Sequence, residues 1–202
     1  MIYLIGGSPR SGKGILSQKL SQKLNIPYIS TDDIIPIVIP YLKKNELAKK
    51  FPLYVMDIKE LMKKYTGKDR LKFDIKEAKS IWPGVKNLIL YLVEGRADYI
   101  IEGVHLLPNL VKGFLGNRNI KIIFLTKLNK DKIFRGILNN KNNRDWVLDN
   151  FNNKKDIQTT CDHLRIYGEY FARETKKYKL KCFNTEDNFH NQLKQALHFL
   201  TN

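Results

Sequence analysis

Ile2-Tyr3-Leu4-Ile5-Gly6-Gly7-Ser8-Pro9-Arg10-Ser11-Gly12-Lys13-Gly14 decides how the rest of the chain is read. Ile2 to Ile5 are apolar and run into two glycines, the pattern of a short buried strand. Gly7 to Lys13 then fit G-x-x-x-x-G-K. Glycines let a backbone curl until several N–H groups face inward, which makes a cradle for an anion. From Gly12 onward, GKGILSQKLSQKLN spaces Ile15, Leu16, Leu20 and Leu24 along one face, which predicts an amphipathic helix ending near Asn25. A helix beginning at Gly12 turns its positive end toward that anion. Lys13 adds a charge at the β- and γ-phosphates of a nucleotide. The plainer alternative is an ordinary glycine-rich turn. The lysine, with a strand before it and a helix after it, weighs against that alternative.

Working outward, IPYIS at 26–30 predicts a second strand, with Thr31, Asp32 and Asp33 just past its end. Strand, helix and strand within 33 residues begin a parallel α/β sheet. Residues 34–97 predict a mostly helical insertion, broken early by Pro36, Pro40 and Pro52. Within it, 75–94 predicts a helix kinked or broken at Trp82–Pro83. ADYIIEG (97–103) and NIKIIFLT (119–126) predict the third and fourth strands, with a short helix or loop at 107–117 between them. Residues 129–155 are rich in Asn, Lys, Arg and Asp and show no strong apolar stripe, so they predict a polar lid. Helical spacing returns over 156–178. LKCFN (180–184) predicts a fifth strand, and a last helix forms around Phe189, Leu193, Ala196, Leu197 and Leu200. The expected fold class is α/β, a three-layer single domain over 1–202 with a five-stranded, doubly wound parallel sheet. Such sheets bind ligands beyond the carboxyl ends of their strands. That places the chemistry at Gly7–Gly14, Thr31–Asp33, Glu102–His105 and from Thr126 onward.

Composition agrees with a globular domain. The chain has 202 residues, 43% hydrophobic and 28% charged, enough apolar surface for a core and too much for a disordered chain. No uncharged apolar run reaches about 18 residues, so no transmembrane helix is expected. The opening residues do not read as a signal peptide. Two cysteines, Cys161 and Cys182, are too few for a disulfide framework or a metal cluster, and a reducing cytoplasmic setting fits. The net charge of +16 comes from 28 Lys and 8 Arg against 20 acidic residues, with 18 Asn beside them. A Lys- and Asn-rich surface arises from compositional drift; it also attracts polyanions. The two readings are compatible.

The loop resembles that of adenylate kinases, G-x-P-G-x-G-K-G-T. Pro9, Gly12, Lys13 and Gly14 match, Arg10 replaces a glycine and Ile15 replaces the threonine. Ile101-Glu102-Gly103-Val104-His105-Leu106-Leu107-Pro108 is similar to the I-x-E-G-V-H-L-x-P stretch of 2-phosphoglycerate kinases, whose loop also begins G-G-(S/T), as Gly6-Gly7-Ser8 does. Together these resemblances place the chain among small P-loop kinases. They imply the P-loop NTPase fold, ATP and Mg²⁺ as cofactors, and a small-molecule acceptor. Gly7, Ser8, Pro9, Arg10, Ser11, Gly12, Lys13, Gly14 and Ile15 would then hold the nucleotide. Gly14 stands where the Mg²⁺-binding hydroxyl of other P-loops stands, so the metal would be held through water, by Asp32 and Glu102.

The remaining groups each have a functional and a structural reading. Asp32 and Asp33 would bind the acceptor or take its proton, or else cap a helix. Glu102 would hold metal or acceptor, or pair with a surface lysine. His105 would contact an acidic acceptor, or sit hydrogen-bonded in the interior. Arg135 and Arg144 would be lid cations over the transferring group, with Arg165 and then Arg173 behind them; all four could equally be solvated. Asn184 and Thr185 would border the adenine. Tyr167, Tyr170, Phe171 and Tyr178 read as core. With no cysteine in 129–155, the lid holds no zinc. Three functions stay open: a small-molecule kinase, a nucleic-acid 5′-end kinase or RNA-linked NTPase, and a nucleotide-binding regulator without turnover. No membrane partner is expected, and oligomeric state is not legible.

Overall fold

The computed structural model describes residues 1–139 and 145–202. The elements run β1 (Ile2–Gly7), α1 (Lys13–Leu24), β2 (Tyr28–Ser30), α2 (Ile34–Val38), α3 (Lys44–Lys50), α4 (Pro52–Val55), α5 (Ile58–Lys64), α6 (Gly67–Glu94), β3 (Tyr99–Gly103), α7 (Pro108–Val111), β4 (Ile120–Thr126), α8 (Lys130–Leu138), α9 (Trp146–Asn150), α10 (Lys154–Lys177), β5 (Lys181–Asn184) and α11 (Phe189–Thr201). The five strands form one sheet in the order β2-β3-β1-β4-β5, and every pairing is parallel. The α/β class and the five-stranded parallel sheet stand as expected.

Alternation along β1 explains the layers. Ile2 and Leu4 face a core with Ile81, Val85 and Ile89 of α6 and Phe171 of α10. Tyr3 and Ile5 face the other side, against Leu16 and Leu20 of α1 and Leu193, Ala196 and Leu200 of α11. A strand buried on both faces must be apolar throughout, and this one is. The order of the strands puts β1 between β3 and β4, so their carboxyl ends converge: Gly6 pairs with Gly103 and Gly7 with Leu125. The cleft opens there.

Three expectations need correction. Ile15 does not share the buried stripe of α1; it is 46% exposed, and the buried set is Leu16, Ser17 and Leu20. The helix over 75–94 is not broken at Pro83. It begins at Gly67 and runs 28 residues through the proline, because Pro83 lies on the exposed side while Ala78, Ile81, Val85 and Ile89 stay packed on the sheet. The segment after β4 does own an apolar face. Ile133 and Ile137 of α8 close against Val147, Phe151, Ile157, Cys161 and Leu164, with Ile58 and Met62 of α5 packed on them. Its apolar residues are scattered over separate short helices, so the stripe exists only once they fold together.

Candidate active site

A cavity of about 520 Å³ lies at the carboxyl end of β1. That is a size that suits a nucleotide-scale ligand. The loop from Pro9 to Ile15 forms its floor, Asp32, Glu102 and Val104 one side, and Lys127, Ile133, Gly136, Trp146 and Phe189 the other.

The loop is held by its own carbonyl at Ser8. Ser11 Oγ donates to Ser8 O at 2.7 Å and Lys13 Nζ at 2.9 Å. The Ser8 amide in turn donates to Leu125 O on β4 at 3.1 Å. Gly7 has φ +134, and a β-carbon there would overlap the Leu125 carbonyl, so no other residue lets β1 lie this close to β4 at its end. Behind the loop, the Thr185 hydroxyl lies 2.9 Å from Ser11 O and 3.1 Å from Thr126 O, tying the loop to β4 and β5. Gly12, at φ +98, starts α1 in a left-handed conformation. The first paired amide of that helix is Leu16, to Gly12 O at 2.9 Å; those of Lys13, Gly14 and Ile15 make no hydrogen bond among the described residues. Three free amides at a helix start, beside a lysine, are an arrangement that can hold an anion.

Arg10 occupies the position where the resembled loop carries glycine, and its φ is +60. Left-handed backbone disfavours a side chain by about 1–2 kcal/mol. The compensating contact is an ion pair from Arg10 Nη1 to Asp145 Oδ2 at 2.7 Å, with the Asp145 side chain 2% exposed. Asp145 also accepts from the Val147 amide at the start of α9. The loop is thereby tied to the segment beyond β4.

Lys13 is buried, and burial lowers its pKa while Glu102 and Asp32 pull it back up. Both carboxylates therefore lie within electrostatic reach of its ammonium. Burial raises the pKa of Glu102, opposed by Lys13 and a hydrogen bond with Ser30. His105 does not line the cleft. Its Nδ1 lies 3.0 Å from Thr31 Oγ1 and 3.4 Å from Asp32 Oδ1, so it stands behind Asp32 and supports it. Burial pushes its pKa down, which favours the neutral ring. Gly103, at φ +147, is required because a β-carbon would overlap the Thr31 hydroxyl. The Glu-Gly-Val-His stretch thus has a physical reading: a carboxylate, a close approach to Thr31, and an imidazole behind Asp32.

The other expected residues that the structure describes do not line the cavity. Asp33 is exposed at the start of α2 and makes no side-chain cap. Arg135 is exposed on α8, with Nε 3.4 Å from the Asp131 carbonyl. Arg165 pairs along its own helix with Glu169 and Asp162. Arg173 pairs with Glu174 and lies over the Tyr170 ring. Arg144 lies outside the described residues. Asn184 accepts from the Glu186 amide, and Thr185 braces the loop, so neither borders the cleft. Tyr167, Tyr170 and Phe171 are core, as expected.

Sequence reasoning missed Lys127, Trp146 and Phe189. Lys127 is the first residue beyond β4, and the carboxyl-end rule points to it. Trp146 and Phe189 carry no such signal, since each opens a helix whose other apolar residues go to a core.

The fold has solved relatives. A Chloroflexus aurantiacus protein described as a candidate kinase shares it, with a TM-score of 0.52 at 14% identity, over 99% of this chain and 95% of that one. Shikimate kinase from Bacteroides thetaiotaomicron is 18% identical over 100% of this chain and 99% of its own, with a TM-score of 0.49. The Aquifex aeolicus shikimate kinase is also 18% identical, with a TM-score of 0.42 and coverage of 100% and 96%. The likeness to the Chloroflexus aurantiacus protein is one of fold. No protein-family model and no curated protein sequence matches the chain.

Proposed function

We propose that the chain is an ATP-dependent kinase that transfers the γ-phosphoryl group to a hydroxyl or phosphate of a small molecule. The observation that carries this reading is Lys13, buried with its ammonium on the Ser8 carbonyl beside three free helix-start amides, facing Asp32 and Glu102 across the cleft. The fold shared with the Chloroflexus aurantiacus protein supports it.

Each residue has a part in the reaction. Lys13 and the loop amides hold the β- and γ-phosphates. Asp32, two-thirds exposed at the cleft side and supported by His105, orients the acceptor hydroxyl and takes its proton as the acceptor oxygen bonds to phosphorus and the bond to the ADP oxygen breaks. Trp146, Phe189 and Ile15 supply apolar wall for the base. Among the described residues no three His, Cys, Asp or Glu side chains group as a metal site. Magnesium needs only one or two carboxylates besides phosphate and water, so Asp32 and Glu102 fit an ion held through water. Bound there, Mg²⁺ would neutralise charge on the phosphoryl oxygens. A cytoplasmic setting fits a reaction that draws on ATP.

The test is ATP consumption with Mg²⁺ against nucleoside monophosphates, nucleosides, glycerate phosphates and short RNA 5′ ends. Acceptor-stimulated turnover is expected, and its loss in Lys13→Ala ties it to the loop. ATP binding without turnover on any acceptor would favour the regulator reading; no binding would overturn the nucleotide assignment.

One observation favours a polyanionic acceptor as a second reading. Lys68, Lys72, Lys76 and Lys79 recur at three- and four-residue spacing on the exposed side of α6, and of these only Lys72 has a carboxylate within 4 Å among the described residues. Retention on RNA that falls steeply with salt would support a nucleic-acid end as acceptor.

A further inference from the structure

Lys127 is placed with unusual firmness for a lysine. It follows β4 directly, and its carbonyl packs so closely on Gly168 of α10 that a β-carbon at Gly168 would overlap it. Its side chain crosses the cleft wall. Nζ lies 5.8 Å from the centre of the Phe189 ring and would lie 3.6 Å from a β-carbon at Gly136 of α8. No carboxylate lies within 4 Å of it among the described residues, and its amino group makes no hydrogen bond there. The nearest acid, Glu186, is already engaged: its carboxylate accepts from the Leu128 and Asn129 amides at 3.3 and 3.2 Å and lies 3.9 Å from Lys132. Burial and the charges of Arg10 and Lys132 lower the Lys127 pKa, against the pull of Glu186.

A half-buried ammonium without a counterion is costly unless something anionic completes it. The other cations of the cleft are spoken for. Arg10 is bound by Asp145, and Lys13 faces Glu102 and Asp32. Of the arginines expected over the phosphates, Arg135 lies with Nε 3.4 Å from the Asp131 carbonyl, Arg165 pairs with Glu169, and Arg144 lies outside the described residues.

We propose that Lys127 is the second polyphosphate-binding cation of this cleft, standing opposite Lys13 and doing the work expected of the arginines after β4. The proposal rests on the kinase reading and adds a residue to it. Lys127 reaches across from the end of β4, so a nucleotide polyphosphate is held between the loop amides below and the Lys127 ammonium above. Its aromatic neighbour Phe189 keeps the ammonium directed into the cleft through the ring face. A monophosphate, with less charge to span that distance, gains little from it.

The experiment compares calorimetric binding of Mg·ATP and of AMP to the full chain, unaltered and as Lys127→Met, Lys127→Arg and Arg135→Met. Lys127→Met is expected to weaken Mg·ATP binding about ten- to hundredfold, as loss of one charge-assisted contact does. It should change AMP binding less than about threefold, and Lys127→Arg should recover most of the loss. Circular dichroism confirms folding of each variant. The proposal is overturned if Lys127→Met binds Mg·ATP like the unaltered chain, if it loses ATP and AMP equally, or if Arg135→Met loses more. Those outcomes leave the kinase reading intact. Failure of the unaltered chain to bind Mg·ATP would overturn both.

Discussion

The Gly7–Gly14 loop and the segment after β4 meet across one cleft but are built by different means. The loop is a backbone structure. Gly7 and Gly12 take conformations other residues resist, the Ser8 carbonyl gathers Ser11 and Lys13, and Thr185 braces the whole from behind. The facing segment is a side-chain structure. Ile133, Ile137, Val147 and Phe151 build a small core of their own, apart from the two cores that clothe the sheet. An ion pair, Arg10 to Asp145, links the halves. A backbone site is set by a few consecutive residues. A side-chain site needs partners far apart in sequence.

The comparison can be broken most sharply at its buried cation. Lys13→Ala should lower ATP turnover by about a hundred- to a thousandfold, the usual cost of removing one preorganised charge. Thermal unfolding of the same variant should change less than activity, since Ser11 Oγ still donates to the Ser8 carbonyl and Thr185 still braces the loop once the Lys13 contact is gone. A large loss of stability there would mean that the loop, too, is held by side chains.

Backbone dependence is tested next at Gly103. Gly103→Ala would force a β-carbon onto the Thr31 hydroxyl at a backbone angle that disfavours any side chain. About 3 kcal/mol of destabilisation is expected in denaturant unfolding, with displacement of Thr31 and Asp32. A neutral result would show that β2 can shift at no cost.

Asp145→Asn should cost about 2–3 kcal/mol, because it leaves the mostly buried Arg10 without its counterion in a strained conformation. Arg10→Gly is the informative partner. It loses the same ion pair but relieves the left-handed strain, so its net effect should stay within about 1 kcal/mol. Equal costs for the two variants, measured by urea unfolding, would mean that Arg10 carries no strain.

Glu77, away from the cleft, sharpens the contrast through pH. Its carboxylate accepts from the Leu53 and Tyr54 amides at the start of α4, and burial pushes its pKa up to about 7. A carboxyl whose folded pKa is raised stabilises the fold fully below its unfolded value. That contribution is lost as pH rises from about 4.5 to about 7. The unaltered chain should thus lose about 1–3 kcal/mol across that window, and Glu77→Gln should lose less. Identical pH profiles of urea unfolding would refute the assignment.

Much of this arrangement was legible residue by residue. The five strands, the loop and its lysine, and the Glu-Gly-Val-His stretch all announce themselves through local spacing, because strand alternation, glycine conformations and a helix start are properties of neighbours in sequence. The arginines were not legible. Arg135 and Arg165 carry the right charge in the right segment, yet their directions depend on which face of α8 and α10 packs inward. Arg10 reads as one of the nucleotide-holding residues of the loop until Asp145 is seen beside it. Phe189 reads as one residue of the last helix, and Trp146 draws no reading at all, until the cleft is closed around them.

By itself, then, the sequence determined that this chain builds a parallel α/β sheet with a glycine-rich loop and a lysine at the end of its first strand. Those features need only short-range sterics and periodic burial. The tertiary structure alone decided which cations face the cleft, that His105 stands behind Asp32, and that Lys127 projects beside Phe189. Those depend on how helices distant in sequence pack their faces, and no local pattern records that.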